Sequence, residues 1–180
     1  MVASRGSQTQ MAVLGALTTE PMTGYALREA IRGVLGHFWS ESFGQIYPAL
    51  ADLEQRGFVK RAGAARAGSS TYAITPAGTR HLRGLLAQPI QATPPRNGLM
   101  LRLFFGRTVG VEACRALIEE ARTEAQRRLA QYDALAEQVA NEPQYADDAP
   151  FWQLTISAAR HSSLAAIAWA DESLATLRSE

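Results

Sequence analysis

The chain has 180 residues, of which 47% are hydrophobic and 19% charged, with a formal net charge of +1. That balance is too apolar for a disordered chain, and no uninterrupted apolar run approaches the roughly 20 residues of a bilayer-spanning helix, so no membrane partner is expected. The single Cys114 excludes an internal disulfide, and His37, His81 and His161 lie too far apart for zinc-ligand spacing, so no metal or other cofactor is expected. The opening residues show no secretory pattern, which makes a cytoplasmic location the expectation. Charge is unevenly divided. Residues 1–88 carry nine Lys/Arg against five Asp/Glu, a balance of +4, whereas residues 89–180 carry nine against twelve, a balance of −3. A basic front half on an acidic rear half suits a polyanion on one side and protein on the other, although solvated faces also scatter charge in this way.

Residues 1–10 are polar and aperiodic and read as a flexible arm. A first helix begins near Gln10 with Met11, Val13, Leu14 and Leu17 on one face, and 18–21 is a turn. Thr23 caps a second helix carrying Tyr25, Leu27, Ile31, Val34 and Leu35. A third opens at Ser42, with Gln45 three positions on as a capping box, and Phe43, Ile46, Leu50 and Leu53 form its inward stripe. Gly57 is the expected stop. The hydrophobic period then changes from 3.6 to 2. Phe58 to Arg61 read as a strand, 63–70 as a small flexible tip, Thr71 to Ile74 as the returning strand, and Thr75-Pro76 as the start of a fourth helix.

Pro89, Pro94 and Pro95 place a linker over 89–98. Beyond it, Leu99 to Phe105 is almost continuously apolar and is expected to be buried. Residues 110–139 read as a long helix in which Ile118, Ala125, Tyr132 and Val139 recur every seven residues. In a final helix from Phe151 to Leu177, the residues Ile167, Ala170, Leu174 and Leu177 follow similar spacing. Two readings are open. The stripes either pack inside one domain or form a homodimer seam, and the second makes Ile118, Tyr132, Val139, Ile167, Ala170, Leu174 and Leu177 interface residues. The fold class is therefore mainly α: a winged helix-turn-helix over 11–88 with a small β-hairpin wing, then a helical dimerisation domain over 99–180.

Chemistry-bearing motifs are sparse. The chain contains no Walker A loop, dinucleotide fingerprint, zinc-protease helix or nucleophile elbow, and Cys114 beside Leu117 and Ile118 reads as a small core residue, so an enzyme is not expected. The third helix is more informative. With its apolar stripe inward, Gln45, Pro48, Asp52 and Gln55 face outward and Tyr47 stands at the edge. Ser42 at the helix start suits a phosphate and Gln45 a base edge in a major groove, while Lys60, Arg61 and Arg66 on the hairpin suit backbone phosphates. Taken singly, each residue is as well suited to an ordinary solvated surface; their order along the chain joins them.

The runs LGALTTEPMTGYALREAI, FWSESFGQIYPALADLEQRGFVKR and TYAITPAGTRHL resemble the N-terminal domain of PadR-like transcriptional regulators, over about residues 11–87. The elements that carry the likeness are Gly24-Tyr25, Gly44 to Pro48, Leu50, Leu53-Glu54, Gly57, Thr75 and Gly78. LMLRLFFG, the long helix and AIAWADESLATL are similar to the Vir-type C-terminal domain of the same family. The resemblance implies a homodimeric, ligand-responsive repressor on a double-stranded DNA operator. It implies DNA contacts from Ser42, Gln45, Tyr47, Pro48, Lys60, Arg61 and Arg66, with Ser69, Ser70, Thr71 and Tyr72 near the wing, and leaves Tyr25 as either a phosphate donor or a core aromatic. It also implies a small hydrophobic or aromatic effector, for which Phe104, Phe105, Trp152 and Trp169 are candidates, core packing being their alternative role. One departure stands out: family wings often carry a basic G-R-P-x-K-like turn, whereas GAARAGSSTY keeps only Arg66. That departure motivates the alternative of a winged helix that binds protein instead of DNA.

Overall fold

The computed structural model describes residues 5–36, 39, 43–66, 69–90 and 97–177. The chain divides into two compact units, Met1–Thr93 and Pro94–Glu180. Helix α1 (Arg5–Ala16) starts inside the segment read as an arm, so that expectation is corrected from Arg5 onward. The polar residues there are partnered rather than solvated: Thr9 is buried, and the Gln10 amide donates to Asp52 at 3.1 Å and faces a His81 ring nitrogen at 3.2 Å.

Strand β1 (Met22–Thr23) leads into α2 (Gly24–Ala30), which continues as a π-helical segment, Ile31–Leu35. The Thr23 hydroxyl accepts the Ala26 amide at 3.1 Å, capping the helix as its sequence predicts. Helix α3 (Phe43–Gln55) buries Ile46, Leu50 and Leu53. It closes in a Schellman motif: Gly57 has φ 73°, its amide donates to Glu54 at 3.0 Å, and the Phe58 amide donates to Leu53 at 2.9 Å.

Strands β2 (Val59–Arg66) and β3 (Ser69–Ile74) form the wing, which is longer than the sequence reading because pairing continues through Ala64↔Ser70 and Arg66↔Ser69. One extra residue on β2 between Arg61 and Ala64 makes a bulge, where Gly63 takes φ 125°. The sheet is antiparallel in the order β1-β3-β2, with Met22 opposite Tyr72 and Thr23 opposite Thr71. Helix α4 (Pro76–Leu86) is capped by Thr75, whose hydroxyl accepts the Gly78 amide at 3.0 Å and donates to the Gly57 carbonyl at 2.8 Å. Val13 and Leu14 of α1, with Leu17 just beyond it, form one core with Leu27, Ile31, Ile46, Leu50, Leu53, Val59, Leu82 and Leu85.

The second unit contains α5 (Gly98–Phe104), α6 (Gly106–Val109), α7 (Val111–Asn141), a 3-10 turn (Pro143–Tyr145) and α8 (Ala149–Thr176). Ile118 packs with Ala170 and Leu174, and Tyr132 and Val139 pack with Ile156. Ion pairs brace the two long helices, Arg122 to Asp171 at 2.7 Å and Arg160 to Asp133 at 2.5 Å. The expectation that Leu99 to Phe105 is buried is corrected: Leu101 and Phe104 are 62% and 82% exposed, and Leu103 alone of α5 packs on a core cluster. A seven-residue helix can turn only one side toward a neighbour, so a continuous apolar run cannot all be covered by one partner.

Candidate nucleic-acid interface

The site is built on α3. Burial of Ile46, Leu50 and Leu53 turns Gln45, Tyr47 and Pro48 to solvent, as the 3.6-residue period requires. Pro48 lies one turn after Gly44 and has no amide to pair with that carbonyl, leaving a polar backbone group on the exposed first turns. Tyr47 is 48% exposed, and its position is fixed by a glycine. A Cβ on Gly24 would come within 2.8 Å of the Tyr47 ring, so the ring lies against the backbone where α2 begins. Tyr25, next along, is 65% exposed, which removes the core reading of that residue.

The wing is less open than the sequence suggests. Lys60 is exposed, and no hydrogen bond or ion pair engages it among the described residues. Arg61 is engaged: its Nε donates to Glu54 Oε1 at 2.8 Å and its Nη2 to Oε2 at 3.4 Å, while the guanidinium lies 5.9 Å from the centre of the Tyr72 ring. Hydrogen bonding to Glu54, and then its charge, raise the Arg61 pKa above its ordinary value. Tyr72 packs on the core, and Ser70 and Thr71 are half-buried. Ser42 and the side chains of Arg66 and Ser69 lie outside the described residues. Spacing alone could not reveal the Glu54–Arg61 pair, because the turn at Gly57 folds β2 back along α3.

In the second unit, the packing of α7 on α8 uses the residues named for a dimer seam. Ile118, Tyr132, Val139, Ala170 and Leu174 are buried within the chain, and Ile167 and Leu177 are half-buried. This is the intradomain alternative for the same spacing. The exposed large apolar side chains of α8 are others: Phe151 at 68% and Leu154 at 70%, on the face away from Ile156 and Ala170, and Leu164 at 47%. The aromatic candidates do not converge. Trp169 joins the Ile118 cluster, whereas Trp152 sits 17 residues earlier, about 25 Å along the helix, beside Tyr145 with ring centres 5.1 Å apart. Phe104 and Phe105 meet edge to face at 5.2 Å, both exposed. Cys114 is buried, with its sulfur 2.7 Å from where a Cβ on Gly106 would stand. No helix among the described residues is long and apolar enough to cross a membrane.

Residues 13–84, from α1 through α4, match the model of the transcriptional regulator PadR-like family, and residues 95–178 match the virulence activator alpha C-terminal model. The chain carries a PadR-like family domain followed by a virulence activator alpha C-terminal domain, and is homologous to the PadR and AphA transcriptional regulators. A probable transcriptional regulator of Mycobacterium tuberculosis is 25% identical over 175 residues, 89% of this chain and 93% of that protein. The negative transcriptional regulator PadR of Bacillus subtilis is 31% identical over 99 residues, 52% of this chain and 54% of that protein. Its crystal structure in complex with operator DNA superposes with a TM-score of 0.77 at 23% identity, covering 93% of this chain and 98% of that one. A structure of the same protein with p-coumaric acid gives 0.72, covering 94% and 98% at 23% identity. The Vibrio cholerae virulence activator AphA is 26% identical with a TM-score of 0.73, covering 95% and 98%. The winged-helix reading of this PadR-like chain thus rests on its own geometry and on solved relatives of the same fold.

Proposed function

We propose that the chain is a cytoplasmic repressor that binds a double-stranded DNA operator as a homodimer and releases it on binding a small aromatic or hydrophobic effector. The observation that carries the reading is the outward face of α3, where Gln45, Tyr47 and Pro48 stand clear of the core with Tyr47 held against Gly24. Gln45 is suited to a base edge, and a bidentate side-chain contact of that kind discriminates bases by about 1–3 kcal/mol. Lys60 supplies a phosphate contact without sequence preference.

A twofold dimer would present two α3 helices to major-groove faces about 34–36 Å apart or a multiple of that. The exposed Phe151 and Leu154 side of α8 supplies the apolar area for association with a second copy. For an effector, Phe104 and Phe105 offer uncovered aromatic area at the end of the helix whose Leu103 shares a cluster with Trp169, so these rings are favoured over Trp152. The test is fluorescence anisotropy against the DNA upstream of the chain's own gene, with a scrambled duplex alongside, at low and physiological salt. Selective binding by two protomers per site is expected, and Gln45→Ala should change sequence preference. Equal binding to both duplexes at either salt would overturn the operator reading in favour of a protein partner.

A further inference from the structure

We propose that Arg61 serves as an internal counter-ion for α3, cancelling the Glu54 carboxylate so that the helix can approach a polyanion, and that it is not itself a phosphate contact. The inference rests on the reading of α3 as the recognition helix. Helix α3, FGQIYPALADLEQ, contains two carboxylates and no basic residue, so alone it would carry two negative charges toward DNA. Each carboxylate is met by an arginine from beyond the helix. Asp52 has Arg56 at 3.3 Å and the Gln10 amide at 3.1 Å; Glu54 has the two-pronged Arg61 contact at 2.8 and 3.4 Å.

Arg61 is positioned for this task by the sheet. It shares the inward face of β2 with buried Val59 by the two-residue period, and its cross-strand partner Tyr72 lies alongside the guanidinium. Lys60, one residue earlier, points the other way into solvent. The two neighbouring cations therefore have different partners: Lys60 is available to phosphate, and Arg61 is occupied by Glu54. Both members of the pair remain partly solvated, with side chains 61% and 30% exposed, so its contribution to stability is small and its effect on the field in front of α3 is the larger one.

The experiment is a double-mutant cycle in the full chain, comparing Arg61→Gln, Glu54→Gln and the double variant for operator affinity across a salt series. Glutamine keeps a side chain of comparable reach beside Tyr72, and thermal unfolding checks that each variant folds. Arg61→Gln, which leaves Glu54 uncompensated, should weaken binding about three- to ten-fold at low salt, an effect that shrinks as the Debye length falls toward 8 Å at physiological ionic strength. Glu54→Gln alone, which leaves the Arg61 charge uncompensated, should tighten binding by a similar factor, and the double variant should return to within about two-fold of the parent with an unchanged salt slope. If Arg61 touches phosphate, the double variant stays as weak as Arg61→Gln and its salt slope drops by about 0.9. Either of these results, or a Glu54→Gln variant that binds no tighter than the parent, overturns the proposal. A parent chain with no affinity for any duplex overturns the operator reading along with it, whereas selective parent binding with a double variant as weak as Arg61→Gln sinks the counter-ion role alone.

Discussion

Alanine at Gly78 should destabilise the first unit, although glycine to alanine usually favours a helix by up to about 1 kcal/mol. A Cβ there would stand 2.1 Å from the Phe58 carbonyl oxygen, 3.0 Å from its carbon and 2.9 Å from Ile74 Cγ1. Relaxed contacts between non-bonded carbons lie near 3.5 Å, so the first turn of α4 must withdraw from β2 by about 1 Å. That withdrawal strains the Thr75 amide bond to Phe58, now 3.0 Å, and the Thr75 hydroxyl bond to Gly57, now 2.8 Å. Overpacking costs about 1–3 kcal/mol, and weakening one or two hydrogen bonds adds about 1 kcal/mol each. Less the helix-propensity gain, the net loss is about 1–4 kcal/mol. For a chain of this length each kcal/mol moves the melting point by about 2–4 °C, so a drop of roughly 2–15 °C is expected in differential scanning calorimetry. Gly84 is the internal control, because it lies on the same helix with nothing within 4 Å of a built Cβ, and Gly84→Ala should leave the melting point unchanged or raise it. A Gly78→Ala protein that melts within a degree of the parent, or a Gly84→Ala protein that loses as much, would refute the packing argument.

Gly24→Ala should displace the Tyr47 ring, lowering operator affinity with little change in stability; the effect should vanish in a Tyr47→Ala background, and an equal loss there would show that Gly24 acts by another route. Burial holds the His81 imidazole below its ordinary 6.5, the Arg56 charge adds to this, and Asp52 opposes it. Because the folded pKa is the lower one, the unfolded chain takes up the proton first, so this stability is complete above about pH 6.5 and is lost as pH falls through that value toward the folded pKa. Urea midpoints should therefore fall between pH 7.5 and 5.5, and His81→Gln should flatten that profile; an equally steep profile would exclude His81 as the cause. Leu154→Glu places a charge on the exposed side of α8 and should shift the chain from dimer to monomer in light scattering with its helicity intact, whereas a persistent dimer would move the interface elsewhere.

Local chemistry was well written into the sequence. Thr23, Thr75 and Gly57 act through residues within a few positions, so caps and stop could be read from neighbours alone. The stripe Ile46, Leu50 and Leu53 was legible for the same reason, since helical period and burial agree. Long-range partners were not. The helical character of the segment after Arg5 was hidden because its polar residues answer Asp52 and His81, 42 and 71 positions from Gln10. Period seven in α7 identified a buried stripe but not its partner: Ile118 and Tyr132 meet α8 of the same chain, and a heptad pattern fits either kind of neighbour. Strand β1 escaped notice because two residues carry no period at all.

That short strand has a mechanical consequence. Thr23 is paired with Thr71 of the wing through its backbone and caps α2 through its hydroxyl, so one residue belongs to the sheet and to the helix-turn-helix at once. With Glu54 and Arg61 joining α3 to β2, the wing is anchored on both of its edges. These links restrict changes in the angle between wing and recognition helix, so part of any mismatch with a duplex falls on the DNA, whose grooves must widen or bend to meet the two surfaces. Sequences that deform easily are then favoured at positions no side chain touches, and the stiffness of the protein becomes a source of selectivity.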